Sequence, residues 1–373
     1  MRTRPECFIA HRNAPALGGA PGYHPPMAVP RTIYATHPRY AEHDFPRHPE
    51  RAERIRAIWR GLDESGLAAR MESLRAQAVD TDLVLALHTA DYLDLLRRIS
   101  AAPRTTFLDA DTYAGPDALT IAMLSAGGAV GAVDRVLGGA ADNALAAIRP
   151  PGHHAMPDHG MGFCLLGNVA IAAHYARSQY AIERVLIVDY DVHHGNGTEA
   201  MFYDDPSVLY ISTHQYPFYP GTGAATDIGT GPGEGYTVNI PLPAGSGDTH
   251  YAAVFEQILW PAAERFRPQL VLVSVGFDAY WADPIAGMRL SLKGYSHLAK
   301  EVMGMAQRFS DGKVVFALEG GYDLDALRHG VSNVARVLLG DATGDPLGAP
   351  PGPQPDPDIS ALLTLLKKLH GLR

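Results

Sequence analysis

Asp191 and His193 stand two residues apart in the run Asp189-Tyr190-Asp191-Val192-His193-His194-Gly195. Side chains at i and i+2 of an extended chain project to the same side, so this pair can grip one ion, with Asp189 beside it. Asp278, in the run GFDAYWADP, adds a further oxygen ligand. One nitrogen and two oxygens, with a position left for water, form the ligand set of a catalytic rather than a structural metal site. Zinc is the first choice, and Fe(II) or Co(II) also suits such a set. His153 and His154 follow Pro-Pro-Gly, a turn that lifts both imidazoles out of the fold. A neutral imidazole takes a proton from water and its protonated form gives one to a leaving amine, provided a partner on the far ring nitrogen sets the tautomer. Asp189 and Asn196 are the available partners. Tyr322, after Gly320 and Gly321, supplies a phenol to polarise a carbonyl oxygen opposite the metal. The isolated His88, His174, His250, His297 and His329 read as packed or surface residues.

Such groups need a frame that gathers distant residues. Short apolar runs at 144–149, 184–190, 207–213, 237–242, 269–276 and 313–319 alternate with helical stretches near 166–178, 248–266, 291–308 and 323–339. This is the pattern of a parallel sheet wound with helices. The expected fold class is α/β: a mostly parallel central sheet with helices on both faces, residues 1–373 forming one domain. Ligands of such sheets bind at the carboxyl ends of the strands. There the runs at 144–149, 184–190, 269–276 and 313–319 would deliver the two histidines, the Asp-x-His pair, Asp278 and Tyr322. Before the alternation, three helices are expected in PERAERIRAIWRGL, in DLVLALHTADYLDLLRRI and in PDALTIAMLSAGGAVGAVDRVLGG, the last rich in small residues that permit close packing. Residues 1–47 read as an irregular arm that wraps the domain or joins a subunit contact, which makes a homo-oligomer the expected partner state. Residues 341–373 read as a Pro-rich tail and a short amphipathic helix.

With 46% hydrophobic and 19% charged residues, the chain has the composition of a folded globular protein. Its 31 basic and 40 acidic side chains leave a formal charge of −9, the wrong sign for holding nucleic acid. Cys7 and Cys164 cannot build a disulfide framework, which favours a reducing cytoplasm. No apolar run is expected to span a membrane, and the first residues carry charge and proline where a signal peptide needs an apolar stretch.

The segments RPPGHHA, GFCLLGNVAIAA, VDYDVHHGNGTEAMFYDDPSVLYISTH, FYPGTG, GFDAYWADP and LEGGYDL, in this order, resemble the histone deacetylase superfamily of zinc amidohydrolases, from about His48 to about residue 340. The resemblance implies an arginase/deacetylase-like fold. It makes Asp191, His193 and Asp278 the zinc ligands, His153 and His154 the catalytic pair, and Tyr322 the group that stabilises the oxyanion. Asp189 matches the carboxylate behind the first histidine; Asn196, behind the second, looks like the second class of the family, where the first class carries Asp. Phe163 and Tyr219, with Gly162 and Gly321 beside them, match the walls of a channel for an acyl-lysine stem, Tyr219 standing where Phe is more usual. A structural potassium ion is implied at Asp189, Asp191, His193 and Ser212. Arginases, which share a similar fold, bind a second metal through positions that here hold Gly195 and Tyr280.

The function so implied is removal of acetyl, or another short acyl group, from lysine in a peptide or protein. Hydrolysis of an acetylated small amine such as an acetylpolyamine is the same-chemistry alternative, and the −9 charge suits a cationic substrate. The apolar Ile285 argues against it, since polyamine-specific relatives carry an acidic residue there. A non-catalytic acyl-lysine binding module would lack a ligand or the tyrosine, and neither is missing.

Overall fold

The computed structural model describes residues 30–372. In chain order the elements are β1 (Thr32–Thr36), α1 (Ala52–Glu64), β2 (Glu72–Arg75), α2 (Thr81–Leu85), α3 (Ala90–Ser100), β3 (Thr106–Phe107), β4 (Tyr113–Ala114), α4 (Ala118–Leu137) and β5 (Asn143–Ala146). There follow α5 (Asn168–Gln179), β6 (Val185–Asp189), α6 (Asn196–Phe202), β7 (Val208–Gln215), β8 (Thr237–Leu242), α7 (Asp248–Val254), α8 (Trp260–Phe266), β9 (Leu270–Val275), α9 (Leu292–Phe309), β10 (Val314–Leu318), α10 (Leu324–Leu339) and α11 (Ser360–Leu369).

Eight strands form one sheet in the order β2-β1-β5-β10-β9-β6-β7-β8, every pair parallel. Helices cover both faces, so β6, β9 and β10 are buried at every position and read as nearly continuous apolar runs, broken only by Asp189 and Ser274. The four strands whose exits carry the candidate chemistry, β5, β10, β9 and β6, are neighbours. Their ends are level: Leu318 pairs with Val275, and Asp189 with Ser274.

The small residues of α4 do what their size suggests. A Cβ on Gly127 would fall 1.7 Å from the Gln77 carbonyl oxygen, so only glycine admits that strand of backbone. By length and composition α4 is apolar enough to cross a membrane, contrary to the sequence expectation, but most of it is buried against β1, β5 and α5 as a core helix.

Two expectations are corrected, and one strand was not foreseen. The segment 1–47 is not all irregular: residues 1–29 lie outside the described part, but Thr32–Thr36 is a buried strand between β2 and β5. Its five residues are flanked by Pro30 and by His37-Pro38, and these breakers masked it. β2, mostly exposed, has no apolar pattern and exists through its pairing with β1. The run 82–99 is two helices: the chain breaks at His88, whose buried ring links the Met156 carbonyl and the Gly167 N–H at 3.0 Å each, and Thr89 caps α3. The Pro-rich tail and α11 pack on the domain, with Trp281 donating to the Gly348 carbonyl and Leu366 fully buried.

Burial holds the His88 imidazole neutral, lowering it from its ordinary 6.5 to about 4. Below pH 6.5 the unfolded chain takes up a proton that the folded one refuses, so this histidine's contribution is intact above 6.5 and lost as pH falls toward 4. The stability advantage of wild type over His88→Gln, measured by urea unfolding, is therefore expected to shrink by roughly 2 kcal/mol between about pH 7.5 and 5. A pH-independent difference contradicts it.

Candidate metal centre and active site

Asp191, His193 and Asp278 converge at the carboxyl ends of β6 and β9, with ligand atoms all within 4.8 Å of one another. The Nδ1 of His193 lies 3.1 Å from Asp191 Oδ1 and 3.2 Å from Asp278 Oδ2. The convergence was foreseen, but its cause differs: residues 191–193 form a bend, not an extended strand. Asp189 Oδ1 accepts the Asp191 N–H and Asp191 Oδ1 accepts the His193 N–H, two successive side-chain turns that coil the segment around its carboxylates.

The charge of this cluster does not balance within the protein. Burial and the adjacent Asp191 push the Asp278 carboxyl up to about 6. Burial opposes a charge on His193, yet its contacts to Asp191 and Asp278 outweigh that and raise it to about 9. Asp278 Oδ1 accepts the Val192 N–H, while its Oδ2 is buried with no hydrogen-bond partner among the described residues, the His193 Nδ1 bond being made to Asp191 Oδ1. Two carboxylates, one imidazole and an orphaned oxygen in a dry site fit a divalent cation, whose charge would replace the proton His193 otherwise draws in.

The histidine pair is asymmetric. His153 Nδ1 is 3.0 Å from Asp189 Oδ2, which also accepts the Tyr210 hydroxyl at 3.0 Å. Burial disfavours charge on His153, but Asp191 and Asp189 overcome it and raise this imidazole to about 10. His154 Nδ1 is 2.8 Å from Asn196 Oδ1. The Asn196 amide nitrogen faces the sulfurs of Met156 and Met161, so its oxygen must accept from His154 Nδ1–H, leaving Nε2 with a free lone pair. Burial, then His153 and His193, hold His154 well below the ordinary histidine value. The two rings lie tilted at 44° with centres 4.0 Å apart, one favouring the proton and its neighbour refusing it.

A cavity of about 250 Å³ opens over these groups, walled by Gly162, Phe163, Phe218, Tyr219, Ile285 and Tyr322, with Asp111 also on its lining. Gly162 and Phe163 both have left-handed backbone, φ 54 and 68. A Cβ on Gly162 would lie 2.3 Å from His154 Cδ2, and the strained Phe163 is held by its N–H donating to Thr112 Oγ1 at 3.0 Å. The Phe163 ring meets Tyr322 edge-on at 5.8 Å. Burial raises the Tyr322 phenol well above its ordinary value, so it remains a donor.

Of the residues expected to line the channel, Gly321 does not: Gly320 is on the wall, while the Gly321 carbonyl turns away to accept Arg54 Nε at 2.7 Å. Ser212 sits beside Asp189 in the β6–β7 register, its hydroxyl 3.0 Å from His214 Nδ1. Several contributors escaped the sequence reading. Phe218 stacks on His193 at 5.4 Å and adjoins Tyr219 in FYPGTG. Asp283 Oδ2 accepts the N–H groups of Tyr322 and Asp323, and Glu319 lies within LEGGYDL. All three lie inside the recognised motifs FYPGTG, GFDAYWADP and LEGGYDL, and that placement was the one signal they offered.

Gly320 donates its N–H to Asp191 Oδ2 at 2.7 Å, and a Cβ there would fall 2.2 Å from Asp278 Oδ2 and 2.5 Å from Asp191 Oδ2. Gly320→Ala is expected to displace both carboxylates and weaken divalent-metal binding by about 10- to 100-fold in a chelator competition. Unchanged affinity would show that the cluster does not depend on this close approach.

Residues 48–338 match the histone deacetylase domain. A probable deacetylase of Archaeoglobus fulgidus is 42% identical over 292 residues, covering 78% of this chain and 80% of the relative. The histone deacetylase-like amidohydrolase of Pseudomonas aeruginosa is 43% identical over 275 residues, 74% of this chain and 71% of the relative. The crystal structure of the HDA15 HD domain superposes with a TM-score of 0.83 at 34% identity, over 91% of this chain and 94% of that one. Fold, site geometry and sequence thus agree, and the chain belongs to the histone deacetylase family of amide hydrolases.

Proposed function

We propose that the protein is a zinc-dependent deacylase that removes acetyl, or another short acyl group, from the side-chain amine of lysine. The observation that carries this reading is the meeting, in one cavity, of His193 from the carboxylate–imidazole cluster with a neutral His154 and a protonated Tyr322. Asp191, His193 and Asp278 would hold the zinc, which when bound supplies a Lewis acid for the amide oxygen and lowers the pKa of water.

The remaining steps belong to the chain itself. His154 Nε2, unprotonated and pointed by Asn196, takes the proton of the attacking water. The protonated His153, backed by Asp189, holds positive charge beside it, and a protonated imidazole of the pair supplies the departing amine with its proton. The Tyr322 hydroxyl donates to the carbonyl oxygen as it gains negative charge. Phe163 and Tyr219 leave room for a linear stem, and the apolar Ile285 suits a neutral acyl-lysine better than a polyamine. The Asp111 carboxylate on the lining favours the second reading, a cationic acetylated amine. A potassium ion at Asp189, Asp191, His193 and Ser212, a homo-oligomeric state and a cytoplasmic location complete the proposal; the last is supported by the cysteine count alone.

Tyr322→Phe is expected to lower kcat by about 10²- to 10³-fold, the loss of one oxyanion donor, with zinc content unchanged; wild-type turnover would remove the phenol from the reaction. Comparing kcat/KM for an acetyl-lysine peptide with that for acetylputrescine and acetylspermidine decides the substrate class. A preference for the peptide of about a hundredfold, roughly 2.7 kcal/mol, is expected, and the reverse preference would establish the small-amine reading.

A further inference from the structure

Glu319 follows β10, is fully buried, and takes no part in the chemistry above. Its Oε2 accepts the backbone N–H groups of Gly152 at 2.7 Å and His153 at 3.1 Å, and its Oε1 accepts the Ser274 hydroxyl at 3.1 Å. The next N–H, that of His154, meets Cys164 Sγ at 3.4 Å, and the Cys164 thiol in turn donates to the Gly162 carbonyl at 3.3 Å. Three consecutive amides of the turn bearing the imidazole pair thus end on two side chains from other loops.

His153, Cys164 and Glu319 have ligand-type atoms within 4.8 Å of one another, but they do not form a second metal site. The amides occupy Glu319 Oε2, and the two ring nitrogens of His153 face Asp189 and Asp191 at 3.0 and 3.7 Å. Successive N–H groups of a turn form a receptor for an anion, so the trio is an anchor. It is itself held in place: Arg54 Nη2 donates to the Glu319 carbonyl at 2.5 Å and Arg54 Nε to the Gly321 carbonyl at 2.7 Å.

We propose that Glu319 is a positioning residue for amide hydrolysis, its carboxylate seating the Gly152–His153 backbone so that His153 meets Asp189 and His154 meets Asn196. The inference rests on the hydrolase reading for its kinetic consequence. Because the residues after Glu319 are Gly320, Gly321 and Tyr322, one side chain ties the loop of the phenol to the loop of the imidazoles.

The test compares zinc-loaded wild type, Glu319→Gln and Glu319→Ala on an acetyl-lysine peptide. Gln retains an acceptor at the same reach and Ala has none. Glu319→Ala is expected to lower kcat by about 10- to 100-fold with KM within about threefold, the effect of a slight misplacement of catalytic groups, while Glu319→Gln keeps most of kcat. The low-field imidazole N–H proton signal of His153, donated to Asp189, should shift or broaden in metal-free Glu319→Ala and stay in place in Glu319→Gln. If the Ala variant fails to fold, Glu319→Asp, which withdraws the oxygens by one methylene, carries the same expectation. Wild-type kcat and an unmoved signal in Glu319→Ala would overturn the proposal. So would equal impairment of the Gln variant, which would assign the role to charge rather than to seating. An inactive wild type would sink the hydrolase reading instead, and the imidazole signal would still decide the anchor.

Discussion

Four carboxylates, those of Asp189, Asp191, Asp278 and Glu319, have no exposure to solvent and crowd the ends of adjacent strands. A buried carboxylate costs several kcal/mol unless it is paired or hydrogen-bonded, and much of the surrounding structure answers that constraint. Asp189 is met by His153 and the Tyr210 hydroxyl, Asp191 by the Gly320 N–H and His193, and Glu319 by two amides and a serine. Of the four, Asp278 alone keeps an oxygen with no hydrogen-bond partner among the described residues. That imbalance fits a cation at one spot, and it also separates the two histidines: His153 lies toward the carboxylates, while His154 faces a neutral amide and two thioethers.

The parallel sheet makes such crowding possible. Its strands all point their carboxyl ends the same way, so loops from residues far apart in the chain emerge side by side. A second buried charge network steadies these loops from the amino-terminal side. Glu50 bridges Arg54 at 2.6 Å and Arg149 at 2.7 Å, all three unexposed, and Arg54 continues to the Glu319 and Gly321 carbonyls. Its guanidinium lies 4.9 Å from the centre of the Tyr322 ring. Asp283 holds the other side of that loop through the Tyr322 and Asp323 amides, and also accepts the Ile285 N–H. The phenol and the apolar residue at the channel wall therefore share one support.

Much of this was legible in the sequence, for reasons that differ by element. Six strands announced themselves because burial on both faces demands continuous apolar runs, and their positions agree with the sheet to within a few residues. β1 and β2 did not: one is short and bounded by prolines, and the other is an edge strand with no apolar pattern. A helical pattern ran unbroken through His88 because its ring is satisfied by carbonyl and amide partners about 70 to 80 residues further along the chain.

Residue types and their spacing determined which chemistry is available: Asp191, His193 and Asp278 offer a ligand set if the fold brings them together, and His153, His154 and Tyr322 offer a base, its partner and a donor by their own functional groups. Which histidine bears the proton, which glycine reaches the wall, and what holds the imidazole turn were decided only in three dimensions. Those properties depend on burial and on contacts between residues as distant in sequence as Gly152 and Glu319. The energy of a buried charge is set by what surrounds it in space, and a linear pattern of residues carries no record of that surrounding.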